Sequence, residues 1–250
     1  VECLVVGNPV PLPLRDPYRL GELPGAEEEA SRVSLLLQSS PGMAAAVNVT
    51  VLLNEAAVKS KVMEQMEKSS WIHLACHAHP NVRTNLYLAP HLRPIDESST
   101  RQALFLSTSG FNHPSTGEGV DQDKEMAKAR GALLTVDDIL EMKLKPGCVV
   151  VLSACSTALG EVKGEGVIGL GRAFLLAGAS SVVCTLWEVK DSSQLLLMQR
   201  FYALVRKGLD LCSALHHAQL SLRLLTESQL AKLEEDEQEL HKWRHSDVTR

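Results

Sequence analysis

Short strand-like runs, each followed by a stretch with helical periodicity, constrain this chain more than any other feature. The runs are Cys3–Gly7 (CLVVG), Asn48–Leu53, Trp71–Cys76, Cys148–Leu152 (CVVVL) and Ser181–Thr185. Most are apolar and rich in β-branched residues, as strands buried on both faces are. Helices are predicted over Glu27–Gln38, Glu55–Glu67, Gly166–Ala177, Asp191–Arg206 and Leu211–Leu225, with a shorter one from a Thr135 cap through Met142. Acidic residues in the first turns of the first and the shorter helix match the helix dipole, and Gly178 supplies a stop. Strands that alternate with helices build parallel βαβ units. The expected fold class is therefore α/β, a mostly parallel sheet with helices on both faces.

Two weaker segments interrupt the alternation. Leu86–Leu88 and Ala103–Leu106 are predicted to form a small hairpin. Residues 107–130 are polar, charged and without periodicity, which reads as an exposed insertion. Residues 226–250 form a highly charged C-terminal helix or tail, leaving residues 1–225 as the main domain.

Composition narrows the function classes. At 250 residues and 45% hydrophobic, the chain can bury one substantial core, and 4% aromatics make that core aliphatic. A net charge of −5 with no basic face argues against nucleic acid as a partner. No apolar run reaches the roughly 20 residues that span a bilayer, so no membrane partner is expected, and the first residues read as a strand instead of a signal peptide. The chain opens on Val1 and reads as a piece of something longer. Six cysteines contain no CxxC pair. Cys3, Cys76, Cys148 and Cys184 lie in or beside strands, as small buried hydrophobes do. A reduced, cytoplasmic protein is expected, with the nucleus or cytoskeleton as variants. Asn48-Val49-Thr50 matches a glycosylation sequon inside a strand and is read as a chance match.

In parallel α/β sheets, sites form beyond the carboxyl ends of the strands. That rule selects His77, which follows the strand Trp71–Cys76, and Cys155, which follows the strand Cys148–Leu152. If the two strands are neighbours, both side chains reach the same sheet edge. A thiol of pKa about 8.5 is mostly protonated at neutral pH, and an adjacent imidazole corrects that. The small residues around Cys155 (SACSTALG) leave backbone amides to face a developing oxyanion.

Other constellations fit less well. Gly164-Glu165-Gly166-Val167-Ile168-Gly169 matches a dinucleotide fingerprint, but eleven residues separate it from Leu152, where the first glycine belongs at once after the strand. On a strand, His73 and His77 stand about 13 Å apart, too far to share an ion. His73 reads as a packed strand residue, and no metal or cofactor is expected. His216 and His217 lie on an amphipathic helix. His91 and His113 fall in loops. Trp187 packs either at the mouth of the site or in the core.

A resemblance joins these features. The segments Leu23–Ala30 (LPGAEEEA), Ile72–His77 (IHLACH), Leu134–Ile139 (LTVDDI), Val150–Gly160 (VVLSACSTALG), Gly164–Gly166, Arg172–Ala179 (RAFLLAGA) and Leu186–Asp191 (LWEVKD) resemble, in order, the CHAT domain family. These are caspase-like domains associated with tetratricopeptide repeats, related to caspases and separases. The resemblance implies a caspase-haemoglobinase-like three-layer sandwich. It implies Cys155 as nucleophile, His77 as its base, and the amides of Ala78 and Cys155 as the oxyanion hole. Ala78 departs from the family's usual glycine. The expected function is a cysteine endopeptidase that hydrolyses peptide bonds, with adjoining repeats outside this chain. Glu161, Glu165, Glu188 and Asp191 are either an acidic pocket for Lys or Arg or solvated carboxylates. The alternative is a catalytically silent module for protein–protein interaction in a large repeat scaffold of the cytoskeletal or cell-division kind.

Overall fold

A computed structural model describes residues 1–9, 23–38, 47–79, 102–107, 131–154, 169–187 and 189–225, and in it the five predicted runs lie side by side. In chain order the elements are β1 (Glu2–Gly7), α1 (Pro24–Gln38), β2 (Asn48–Leu53), α2 (Lys59–Lys68), β3 (Trp71–Ala75), β4 (Ala78–His79), β5 (Ala103–Phe105) and β6 (Leu133–Thr135). They continue with α3 (Val136–Glu141), β7 (Val149–Ser153), α4 (Leu170–Leu176), β8 (Ser181–Cys184), α5 (Asp191–Arg206) and α6 (Leu211–Arg223). The main sheet has the order β2-β1-β3-β7-β8, and every pairing in it is parallel. With helices on both faces, this is the three-layer arrangement expected of a caspase-like fold.

Alternation along the strands sorts the core into two layers. Leu4, Ile72 and Val150 form one rung across three strands, and Val5, His73 and Val151 form the next. The first rung joins a buried cluster with Val62 and Met66 of α2, Ile139 of α3 and Phe174 of α4. The neighbouring rung faces Ala30 and Val33 of α1, Met198, Phe201 and Tyr202 of α5, and Ala214 and Ala218 of α6. Gly7 lets α1 approach β1 closely, since any side chain there runs into Ala30 and the Ala26 carbonyl.

Boundaries differ from the sequence expectation where local chemistry intervenes. Helix α1 begins at Pro24, ahead of Glu27, because proline suits a first helical turn whose N–H groups lack partners. The predicted helix Glu55–Glu67 divides into a 3₁₀ turn, Asn54–Ala56, and α2. Asn54 takes a positive φ of 49°, and Val58 stays extended to bridge Ser107, so the α-helix cannot begin earlier. Thr135 caps α3 as expected: its hydroxyl accepts from the Asp138 N–H while the Asp138 carboxylate accepts from the Thr135 N–H. Gly178 ends α4 at φ 112°.

One pairing is corrected. β5 is the middle strand of a separate antiparallel sheet, β4-β5-β6, so its described partners are Ala78–His79 and Leu133–Thr135, which the sequence reading did not anticipate. Leu86–Leu88, residues 108–130 and residues 226–250 lie outside the described residues. Cys184 is also corrected. Cys3, Cys76 and Cys148 are buried, but Cys184 is exposed, because it ends β8 at the margin of the main sheet.

Candidate active site

β3 and β7 are direct neighbours, with Ala75 paired to Ser153 at their carboxyl ends. His77 lies two residues beyond Ala75, half-buried. Cys155 is two residues beyond Ser153 in sequence and lies outside the described residues, as do Glu161, Glu165, Glu188, His91 and His113. Asp191 is the first residue of α5.

Between Ala75 and Ala78 the chain leaves the main sheet and enters β4. The Phe105 N–H donates to the His77 carbonyl at 2.9 Å, and Ala78 stands opposite Leu104. In an antiparallel ladder that combination makes Ala78–Leu104 a non-hydrogen-bonded pair. The Ala78 N–H therefore points away from β5. Asn8 and Asn54 are the non-glycine residues of positive φ among those described, so Ala78 occupies no glycine-only conformation.

The chain leading to Cys155 is fixed through Ser153 and Ala154. Gln194 of α5 donates from Nε2 to Ser153 Oγ at 3.0 Å, and Thr185 donates from Oγ1 to the Ala154 carbonyl at 2.8 Å. Sequence reading missed both partners. Gln194 was open to discovery by spacing, because it lies one turn before Met198 and two before Phe201 on the buried face of α5. Of the GxGxxG residues, Gly169 is described, and it precedes α4 against the side chain of Gln102.

His73 is fully buried and belongs to a different network, on the face covered by α1, α5 and α6. Its Nδ1 is 3.0 Å from the Tyr202 hydroxyl, which accepts from the Trp71 indole N–H at 2.9 Å. Its Nε2 lies 3.0 Å from Glu29 Oε1, off the line of a well-aligned hydrogen bond. Burial pushes the Tyr202 phenol well above its usual pKa, the Trp71 bond works the other way, and Glu29 adds to the rise. A phenol held protonated has its hydrogen available for Nδ1, while Nε2 is the ring nitrogen that faces Glu29. His73 is thus committed to the core, as its place within an apolar strand predicts. Trp187 is 66% exposed, so a core role for it is corrected. His216 and His217 stack edge to face on the exposed side of α6. Asn48 opens β2 and donates its side-chain amide to Glu2.

No helix among the described residues is long and apolar enough to cross a membrane.

Comparison with known proteins adds two findings. A family model described as the CHAT domain matches residues 1–246. Tetratricopeptide repeat protein 28 from Mus musculus is 31% identical over 225 residues, covering 86% of this chain, and the Homo sapiens protein of that name is 31% identical over 228 residues. The chain spans about 8% of the length of these relatives.

Proposed function

This chain belongs to the CHAT domain family, and from that premise we propose that it is a cysteine endopeptidase domain with Cys155 as nucleophile and His77 as general base. The observation that carries the reading is the register of β3 and β7. Ala75 and Ser153 are paired, and His77 and Cys155 follow them at the same offset of two residues. Neighbouring strands run about 4.8 Å apart, a spacing that suits an imidazole and a thiol meeting at one sheet edge.

In this reaction His77 takes the proton of the Cys155 thiol as the sulfur bonds to the carbonyl carbon of a peptide. The carbonyl π electrons move to oxygen, where the N–H groups of Ala78 and Cys155 receive the charge. Collapse expels the amine, which leaves with the proton from His77. Water then adds to the thioester while His77 accepts its proton, and the acid product departs from the regenerated thiol. The outward N–H of Ala78 supports its part, and the extended backbone there removes the objection that glycine is required.

The name of the relatives supports adjoining tetratricopeptide repeats outside this chain, where repeats present or restrain the substrate, and the same reading puts the protein in the cytoplasm. A second reading is a catalytically silent interaction module of a large scaffold. It draws on Leu186 and Trp187, each 66% exposed just past the carboxyl end of β8.

Iodoacetamide labelling of Cys155, followed by peptide mass mapping, separates the two. A dyad gives rapid labelling at pH 7 that His77→Ala slows by up to about 30-fold, through loss of thiolate. Slow labelling indifferent to His77→Ala leaves the silent module. Cleavage of a mixed peptide library, abolished by Cys155→Ala, completes the test.

A further inference from the structure

Helices α1, α5 and α6 leave a groove of about 490 Å³ between them. Its walls are apolar: Leu35 and Leu36 of α1, Leu196 and Ala203 of α5, Leu222 of α6 and Leu225 just past it. The α5 wall takes in positions 196, 199, 200 and 203, a single stripe of that helix, and rises about 10 Å from end to end. Leu35 is 63% exposed at the rim, and Leu224, beside the α6 wall, is 79% exposed. Leucines left in water around a concave apolar surface mark an interaction site.

The charge that the groove leaves unspent is positive. Arg32 is engaged by Glu28, one turn earlier on α1, whereas Arg200 is exposed and forms no ion pair among the described residues. Gln199 Nε2 is shut off from water with no hydrogen-bond partner among the described residues, a cost that an arriving acceptor relieves. The Ser221 hydroxyl donates within α6 to the Ala218 carbonyl. Arg206 and Lys207, three and four residues beyond Ala203, continue the α5 stripe and are exposed. In a chain of net charge −5, this face is complementary to carboxylates.

Helical walls offer no unpaired backbone edge, so an incoming strand gains no ladder bonds here, while an incoming helix satisfies its own backbone. Two turns along α5 match leucine-type side chains at helical spacing. A second copy fits less well, because groove-to-groove pairing brings the same cations together.

We propose that this groove is a docking site for an acidic amphipathic helix of a partner protein. The helix seats leucine-type side chains between α1, α5 and α6 and sets its carboxylates against Arg200. No residue of the groove has a part in the proposed reaction, so the inference stands apart from the Cys155–His77 reading.

The probe is a fluorescein-labelled helical peptide of about 14 residues, with leucines along one face at heptad spacing and glutamates on its flanks. It is titrated by anisotropy into the full 250-residue chain. Control peptides scramble its order or carry lysine for glutamate. Saturable binding of the glutamate peptide alone is expected. Arg200→Glu weakens it about tenfold and flattens its salt dependence, and Leu35→Asp weakens it by a similar factor. Lys68→Glu makes the same charge change on α2, across the sheet, and leaves the affinity within about twofold. Arg200 and Leu35 are both exposed, so thermal melting stays near wild type and the loss reads the groove. Equal binding of the scrambled peptide, affinities that ignore both substitutions, or no binding at all overturn the inference. A concentration-dependent dimer that Leu35→Asp dissociates assigns the groove to a second copy and overturns the partner helix.

Discussion

His73 Nε2 and Glu29 Oε1 stand 3.0 Å apart, with neither side chain more than 4% exposed. The pair joins β3 to α1 across the sheet face, on a rung flanked by Val5 and Val151. Removing one member of such a pair leaves a polar atom of the other facing an apolar gap away from water, at a cost of about 1–3 kcal/mol. Glu29→Ala is therefore expected to lower the urea midpoint severely. His73→Leu combined with Glu29→Met recovers most of the loss, because the site is otherwise apolar. A double variant as unstable as Glu29→Ala shows instead that Trp71 and Tyr202 need the imidazole.

The cysteines offer a check that does not involve catalysis. Burial pushes Cys76 up to about 12, and burial likewise raises Cys3 and Cys148 to about 11. Against an ordinary thiol of 9.0, their thiolate fractions at pH 7.5 fall by about 10²–10³. Iodoacetamide is expected to modify the exposed Cys212 and, more slowly because partial burial raises its thiol, Cys184 in the native protein, and to reach these three only after denaturant is added. Native labelling of Cys76 at the rate of Cys212 contradicts the buried β3 terminus.

Much of this arrangement is legible in sequence because strand burial and helical periodicity are local signals. The alternating runs give the parallel sheet, and the Thr135 cap is visible in Thr-Val-Asp-Asp. The position of His77 past a strand end follows from the same pattern. The three-stranded antiparallel sheet is not legible, since Ala78–His79 and Leu133–Thr135 are too short to carry a period-two signal. The partners of His73 are equally hidden. Glu29 looks like one of three solvated glutamates opening a helix, and the pairing depends on how α1 is rotated over β1. Gln194 is an intermediate case: the helical face is readable, but its target Ser153 lies 41 residues away.

Asp138 gives the fold a pH-sensitive corner. Burial works to raise its carboxyl, but bonds from Lys59 at 2.8 Å and from the Thr135 hydroxyl and N–H hold it below the ordinary value of 3.8. A carboxylate depressed in the folded state stabilises fully above its unfolded pKa, and the contribution disappears as pH falls from about 4 through the folded value. Asp138→Asn is expected to cost about 1 kcal/mol at pH 7, the usual scale of a lost cap. Its stability then runs parallel to wild type at neutral pH and converges with it below pH 4. A gap between the curves that does not narrow as pH falls below about 4 rules out this linkage.

Ala78 tests the oxyanion assignment separately from the dyad. Its N–H points away from β5, whereas the His79 N–H belongs to the ladder with Ala103. Proline at 78 removes an amide that the sheet does not use, so Ala78→Pro is expected to melt within a few degrees of wild type, while His79→Pro loses a ladder bond and melts lower. Alkylation by iodoacetamide is a displacement at carbon and develops no oxyanion. Ala78→Pro therefore keeps Cys155 labelling near the wild-type rate, which also shows that His77 has not moved. Peptide cleavage does develop that charge, and loss of one donor lowers kcat by about 10²–10³ with KM little changed. If cleavage and labelling fall together, proline has displaced His77. If neither falls, the oxyanion is held by other donors, and the outward amide of Ala78 has no part in the reaction.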